Sequence, residues 1–139
     1  MMHLRNIFCS AVLATTLFAG CDTNSPYLGP DARIAVDDRN YASSLQDANK
    51  PIVLEFYADW CGPCREIEGV IASSSAEHPE FIFAKVDVDT APQMASQFQV
   101  NSIPCLVFLR DGSEVGRSVG SIRKSEFEKL LSRHFPSGK

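Results

Sequence analysis

The chain lacks any run of basic residues: its 13 Lys and Arg are scattered and are outnumbered by 17 Asp and Glu, for a formal net charge of −4 and a pI near 5.3. Phosphate binding needs a basic patch, so no nucleic-acid partner is expected. It also lacks an apolar run as long as the ~20 residues that a membrane-spanning helix requires. Histidine is scarce, with three in the chain. His3 is near the N-terminus, His78 in a predicted loop and His134 near the C-terminus. No second Cys pair or His pair stands ready to complete a four-ligand zinc site.

The remaining composition is that of an ordinary globular chain. With 139 residues, 45% of them hydrophobic and 22% charged, one domain and a short extra segment fit, and two full domains do not. The five cysteines, Cys9, Cys21, Cys61, Cys64 and Cys105, do not resemble an even framework of structural bridges. Each needs its own explanation.

Residues 1–21 have the layout of an export signal. His3 and Arg5 precede an uncharged apolar stretch at 7–19, too short for a membrane span and of the length of a signal peptide's apolar region. Ala19 and Gly20 directly before Cys21 resemble a bacterial lipobox, in which the Cys is lipidated and becomes the new N-terminus. Phe18 departs from the Leu most common at the first lipobox position, with Leu17 one place earlier. A secreted soluble product and an uncleaved anchor are the rival outcomes. Residues 22–31 carry Pro, Gly, Asn and Ser without periodicity and read as a flexible tether. Residues 32–139 are then the folded domain, placed on the periplasmic side of a bacterial membrane.

Along that domain the patterns predict a strand at 33–36 and a helix at 42–48 capped by Asp37-Asp38. A nearly continuous apolar strand follows at 52–57, interrupted by Glu55. A helix is expected at 65–76, where Gly69 can introduce a bend. Next come a strand at 81–88 and a short helix at 91–98 with Pro92 in its first turn. A strand at 106–109, the Asp111-Gly112 turn and a strand at 114–119 make an antiparallel hairpin. An amphipathic helix closes the chain at 123–135, capped by Ser121 or Ser125. This order implies an α/β fold with a central mixed sheet and helices on both faces. It establishes no function by itself.

Chemistry is concentrated where the apolar strand gives way to a helix, at Trp60-Cys61-Gly62-Pro63-Cys64. Disulfide exchange needs a thiolate as attacker and a second thiol near enough to release the mixed disulfide. A two-residue gap at a helix start suits both tasks, since the unpaired N–H groups and the helix dipole favour a thiolate at Cys61. Cys61 is the expected nucleophile and Cys64 the resolving thiol. Pro63 stiffens the first turn, and Gly62 keeps bulk away from the attacking sulfur. A structural disulfide or half of a metal site are the blander alternatives. Trp60 and Tyr57 either shape a docking surface or simply pack.

The Trp60–Cys64 motif resembles the redox signature of thioredoxin, and the similarity runs through residues 32–139. The resemblance implies a thioredoxin-like fold and a thiol-disulfide oxidoreductase that needs no cofactor and acts as a monomer on client proteins with disulfides. It also implies roles for further residues. Glu55 stands where the family has a buried Asp that exchanges protons with the deeper Cys; its alternative is a partly exposed edge carboxylate. Lys85 matches the family's Lys near that acid, or is a solvated strand-end charge. Pro104 matches a cis proline beside the active site, and Gly120 matches the glycine after the edge hairpin. Two positions depart from the family: Gly69 where a helix-kinking Pro is usual, and Cys105 where Thr is common.

Cys105 is read as a small buried residue, or else as a thiol that forms a transient disulfide or joins Cys61 and Cys64 as a third thiolate around a soft metal such as Cu(I). The expected function is therefore reduction or interchange of disulfides in extracytoplasmic clients, recharged by a membrane or periplasmic electron donor. The alternatives are a dedicated reductant in cytochrome c maturation, an isomerase or partner of a thiol oxidase, a copper-binding chaperone, and a redox-inactive adaptor.

Overall fold

A computed structural model describes residues 31–46 and 49–136. The expected signal at 1–21 with Cys9 and Cys21, nearly all of the tether at 22–31, and residues 47–48 of the first expected helix lie outside the described residues. Among the described residues, no helix is long and apolar enough to cross a membrane.

The strand over Ile52–Tyr57 (β2) is the centre of the molecule because its side chains are needed on both sides. Successive residues of a strand point to opposite faces. Ile52, Leu54 and Phe56 join one apolar cluster with Val36, Leu45, Met94 and Val107, while Val53 joins another with Ile67, Ile71, Phe108, Phe127 and Leu131. Around β2 the sheet has the order β1-β3-β2-β4-β5. The elements are β1 Ile34–Ala35, β3 Ile82–Asp87, β4 Cys105–Arg110 and β5 Ser113–Val119, with helices α1 Gly62–Glu77, α2 Pro92–Gln97 and α3 Lys124–His134. β1, β3 and β2 run parallel, whereas β4 is antiparallel to β2 and β5 to β4. Helices α1 and α3 cover one face, and α2 with the chain around Leu45 covers the other. This is the expected mixed sheet with an edge hairpin. Asp111 and Gly112 turn that hairpin with φ of 50° and 73°, the left-handed pair that a tight two-residue turn requires.

Several boundaries differ from expectation for local reasons. The first predicted helix is a short π-helical segment, Ala42–Gln46. Its expected capping pair is divided: the Asp37 carboxylate accepts from the N–H groups of Arg39 and Asn40, and Asp38 instead accepts from Gln93 N–H at 3.1 Å and Met94 N–H at 2.8 Å. Asp38 thus caps α2, a helix far along the chain. α1 starts at Gly62, before the expected position, because Pro63 fits its first turn and Cys61 serves as its N-cap. Neither serine caps α3. Ser121 donates to Glu66 at 3.0 Å, and Glu126 reaches back to the Arg123 N–H at 3.4 Å. Cys105, expected just before its strand, belongs to β4, paired with Phe56 and Val119.

Candidate active site

The end of β2 delivers the chain into α1 through Ala58, Asp59 and Trp60. Cys61, with extended φ and ψ of −78° and 106°, is the last residue before the helix. Its sulfur accepts the Cys64 N–H at 3.2 Å, so one of the unpaired donors of the helix start is aimed at Cys61 Sγ. Cys61 and Cys64 are joined as a disulfide across this first turn. The pair is 3% and 4% exposed and packs with Ala58, flanked by Tyr57, Val88 and Ile103.

The turn is held from outside by polar bonds. Arg65 donates to the Asp59 carbonyl at 2.9 Å, and Trp60 Nε1 donates to Asp89 at 2.8 Å. The Trp60 ring is nevertheless 67% exposed, an apolar surface beside the sulfurs. A Cβ at Gly62 would meet nothing within 4 Å. Among the described residues no neighbour requires glycine there. The Ile103–Pro104 peptide is cis, and the Pro104 carbonyl accepts from Gly120 N–H at 2.8 Å. Gly120, at φ 92°, occupies a conformation that favours glycine.

Beneath the pair lies a cavity of about 150 Å³ lined by Cys64, Glu55, Arg33, Lys85 and Glu68. It has ample room for water, which needs on the order of 10–15 Å³ by this measure. Glu55 is 2% exposed, so the edge-carboxylate alternative does not describe it. Burial pushes its carboxyl above the usual range, and the neighbouring Arg33 guanidinium offsets part of that rise. Cys64 lines this cavity and Cys61 does not, which separates the two thiols by what lies next to each.

Arg33 is the residue that sequence reasoning missed. It donates to Glu55 at 2.5 Å, and only 3% of its side chain is exposed. Lys85, the cation expected beside the acid, is the register partner of Glu55, but its ammonium lies 3.9 Å from Asp31, and among the described residues no hydrogen bond joins it to Glu55. At the start of a strand an Arg reads as an exposed edge charge. The signal that could have found it is the parallel register: Ala35, Lys85 and Glu55 align across three strands, so Arg33, two residues before Ala35, falls on the same face.

Cys105 is on the opposite face, packed with Phe56, Met94 and Val107, where burial raises its thiol above the ordinary value. Among the described residues the only trio of metal-binding side chains with ligand atoms within 4.8 Å of one another is Glu77, His78 and Glu128. The three-cysteine copper site expected as an alternative is therefore not assembled, because Cys105 and Cys64 look out of different sides of the sheet.

The family model for thioredoxin matches residues 32–133. The chain belongs to the thioredoxin family. It is 41% identical over 99 residues to a thioredoxin of Chlamydia trachomatis, covering 71% of this chain and 95% of that one. It is 39% identical over 107 residues to a Mycobacterium tuberculosis thioredoxin, covering 76% and 92%. The crystal structure of thioredoxin NaTrxh from Nicotiana alata superimposes with a TM-score of 0.70 at 37% identity, covering 76% of this chain and 95% of that one. Membership makes this thioredoxin-family chain a thiol-disulfide oxidoreductase acting on disulfide-containing proteins.

Proposed function

We propose that the protein reduces or interchanges disulfides of client proteins on the periplasmic side of a bacterial membrane, where a lipidated Cys21 tethers it. In its reduced state Cys61 Sγ attacks a client disulfide as a thiolate, one client sulfur leaves, and a mixed disulfide forms. Cys64 gives its proton to Glu55 through the cavity and attacks Cys61 Sγ. The second client sulfur then leaves and is protonated, so two electrons have passed from the dithiol to the client. Lys85 adds positive charge to the cavity, and Pro104, Gly62, Pro63 and Trp60 shape the surface that receives the client.

The observation that carries this reading is the asymmetry of the pair, with Cys61 at the helix N-cap and Cys64 against the cavity that holds Glu55. The Gly-Pro pair between the cysteines resembles that of reducing family members, so the reductive direction is favoured. An oxidising compartment then requires a membrane or periplasmic electron donor to restore the dithiol.

A redox titration of the Cys61/Cys64 pair against glutathione tests the direction. A potential below about −230 mV is expected, whereas one near −120 mV identifies an oxidant. Cys64→Ser should trap a client through Cys61, and Cys61→Ser should trap none. Labelling cells with a radioactive fatty acid checks the tether: loss of label in Cys21→Ala is expected, and an unlabelled parent protein rules the lipid anchor out.

A further inference from the structure

Arg33 is not explained by packing alone. A buried guanidinium is costly unless its donors are matched, and this one is matched in three directions: Asp31 at 2.9 and 2.8 Å, Glu55 at 2.5 Å and Glu68 at 3.3 Å. The planar fork of an Arg can serve several carboxylates at once in a fixed geometry. Its position follows from the pairing of β1 with β3 and from Ala32 N–H, which donates to Ser75 Oγ of α1 at 3.2 Å. The strand has only two residues, and immediately before them the chain delivers a cation to the floor of the dithiol site.

We propose that Arg33 is a positioning residue for disulfide exchange: it holds Glu55 as an oriented carboxylate beneath Cys64, ready to take the Cys64 proton when the mixed disulfide is resolved. This rests on Glu55 being the proton acceptor. The charges that face Glu55 are few and come from separate elements. Arg33 stands on the β1 side with Asp31 behind it, Glu68 on α1 and Lys85 on β3, and the β4 partner is the apolar Leu106. Tyr57, Asp59 and Arg65 complete the cavity wall next to Cys64.

Without Arg33, the charges acting on Glu55 from its described neighbours would be the repelling Glu68 and the attracting Lys85. Burial would then drive Glu55 to keep its own proton. A protonated Glu55 cannot accept another. The step at risk is the second one, closure of the Cys61–Cys64 bond with departure of the second client sulfur. The first attack, by Cys61 at the helix N-cap, does not use the cavity.

The two steps separate when the reduced full-length protein is mixed with excess oxidised glutathione, quenched with acid and weighed by mass spectrometry. The mixed disulfide at Cys61 and the closed disulfide differ in mass. In Arg33→Gln, closure near pH 7 should slow by about tenfold or more and recover as pH rises toward about 9, while formation of the mixed disulfide changes little. Arg33→Lys, which keeps the charge, should restore closure to within about threefold of the parent. Glu55→Gln should slow closure near pH 7 whether or not Arg33 is present.

Should Arg33→Gln fold poorly, the comparison of Arg33→Lys with Arg33→Met/Glu55→Gln decides the matter. The double variant removes both buried charges and should fold while closing as slowly as Glu55→Gln. Normal closure in Arg33→Gln at every pH, with Glu55→Gln still slow, overturns the role of Arg33 and leaves Glu55 as the acceptor. Normal closure in Glu55→Gln overturns both. An Arg33→Lys variant as slow as Arg33→Gln also overturns the proposal, since delivery of charge is its content.

Discussion

The two faces of the central sheet are built from alternate residues of the same strands and differ in what they tolerate. On one face Leu54, Phe56, Cys105 and Val107 meet Met94 and Leu45, and the packing is apolar throughout. On the other, Val53, Phe83, Leu106 and Phe108 pack as apolar neighbours against α1 and α3, but two residues further along β2 and β3 the side chains on this face become Glu55 and Lys85, with Arg33 alongside. The charged patch therefore begins where the parallel strands approach their carboxyl ends and α1 starts. In open α/β sheets that is where sites form, because the chain there leaves the sheet and opens a crevice. Apolar packing supports the domain, and a charged corner with a cavity lies beside its cysteines.

Moving charge across the sheet should produce the largest effect. Leu54→Glu places a carboxylate in the apolar cluster of Phe56, Met94 and Val107, and the folded state should be lost or weakened by several kcal/mol, on the order of 3–5. Phe56→Ala, which opens a cavity on the same face, should cost about 3–5 kcal/mol. Urea unfolding checks both. On the charged face, Glu55→Leu alone takes from Arg33 its buried partner, leaving Asp31 and Glu68, and should be destabilising, whereas Arg33→Met/Glu55→Leu should return close to parental stability. A double variant as unstable as the single one would erase the proposed difference between the faces.

Cys105→Ala makes a smaller change and probes whether the apolar face is separate from the redox site. It removes one heavy atom from a closed cluster and should cost about 1 kcal/mol. The potential of the Cys61/Cys64 pair should stay the same. In the parent, mass spectrometry after brief treatment of the reduced protein with iodoacetamide should find Cys105 the last thiol to react, since it is buried and its thiol is held above its ordinary value. A shift in potential on substitution would show that the two faces communicate.

Much of this division is legible in the sequence because it rests on local patterns. Alternation along 52–57, the turn residues Asp111-Gly112 and the Trp60–Cys64 motif each act over a few positions, and the sheet order follows from them together with the resemblance. The misreadings concern residues whose partners are distant in the chain. Asp38 has the chemistry of an N-cap and stands just before the helix that follows it in sequence, although it caps α2. Arg33 looks like an edge charge until β1 is aligned with β3, and Lys85 takes the assignment because it matches the Lys that the family resemblance places near the acid. Cys105 is the small buried residue expected, and only its copper alternative fails, because the residue alternates onto the face away from Cys64 once β4 is paired with β2. Periodicity identifies the face a residue shares with its own strand; which cation reaches across to it depends on tertiary register.

The smallest expected effect lies at the far end of α1 and sharpens the contrast between enclosed and half-exposed charge. His78 caps that end, with Nδ1 at 2.9 Å from Glu80 and Nε2 at 2.8 Å from Glu128, and its ring stacks on Phe81. Burial works against its protonated form, but the two carboxylates outweigh burial and raise its pKa above the ordinary 6.5. A raised folded-state value means that stabilisation is fully present below about pH 6.5 and is lost as pH climbs through the higher folded value. The stability difference between the parent and His78→Gln should therefore be greatest in mild acid and shrink toward alkaline pH. Because the ring and its partners are partly open to solvent, the difference should be under about 1 kcal/mol and should diminish with added salt. Urea unfolding at several pH values reads it directly. A difference that grows with pH would mean that His78 supports this end of the helix mainly through its neutral ring. Closure of the Cys61–Cys64 bond should be unchanged in His78→Gln, since this charge cluster sits at the opposite end of α1 from the one that faces Cys64.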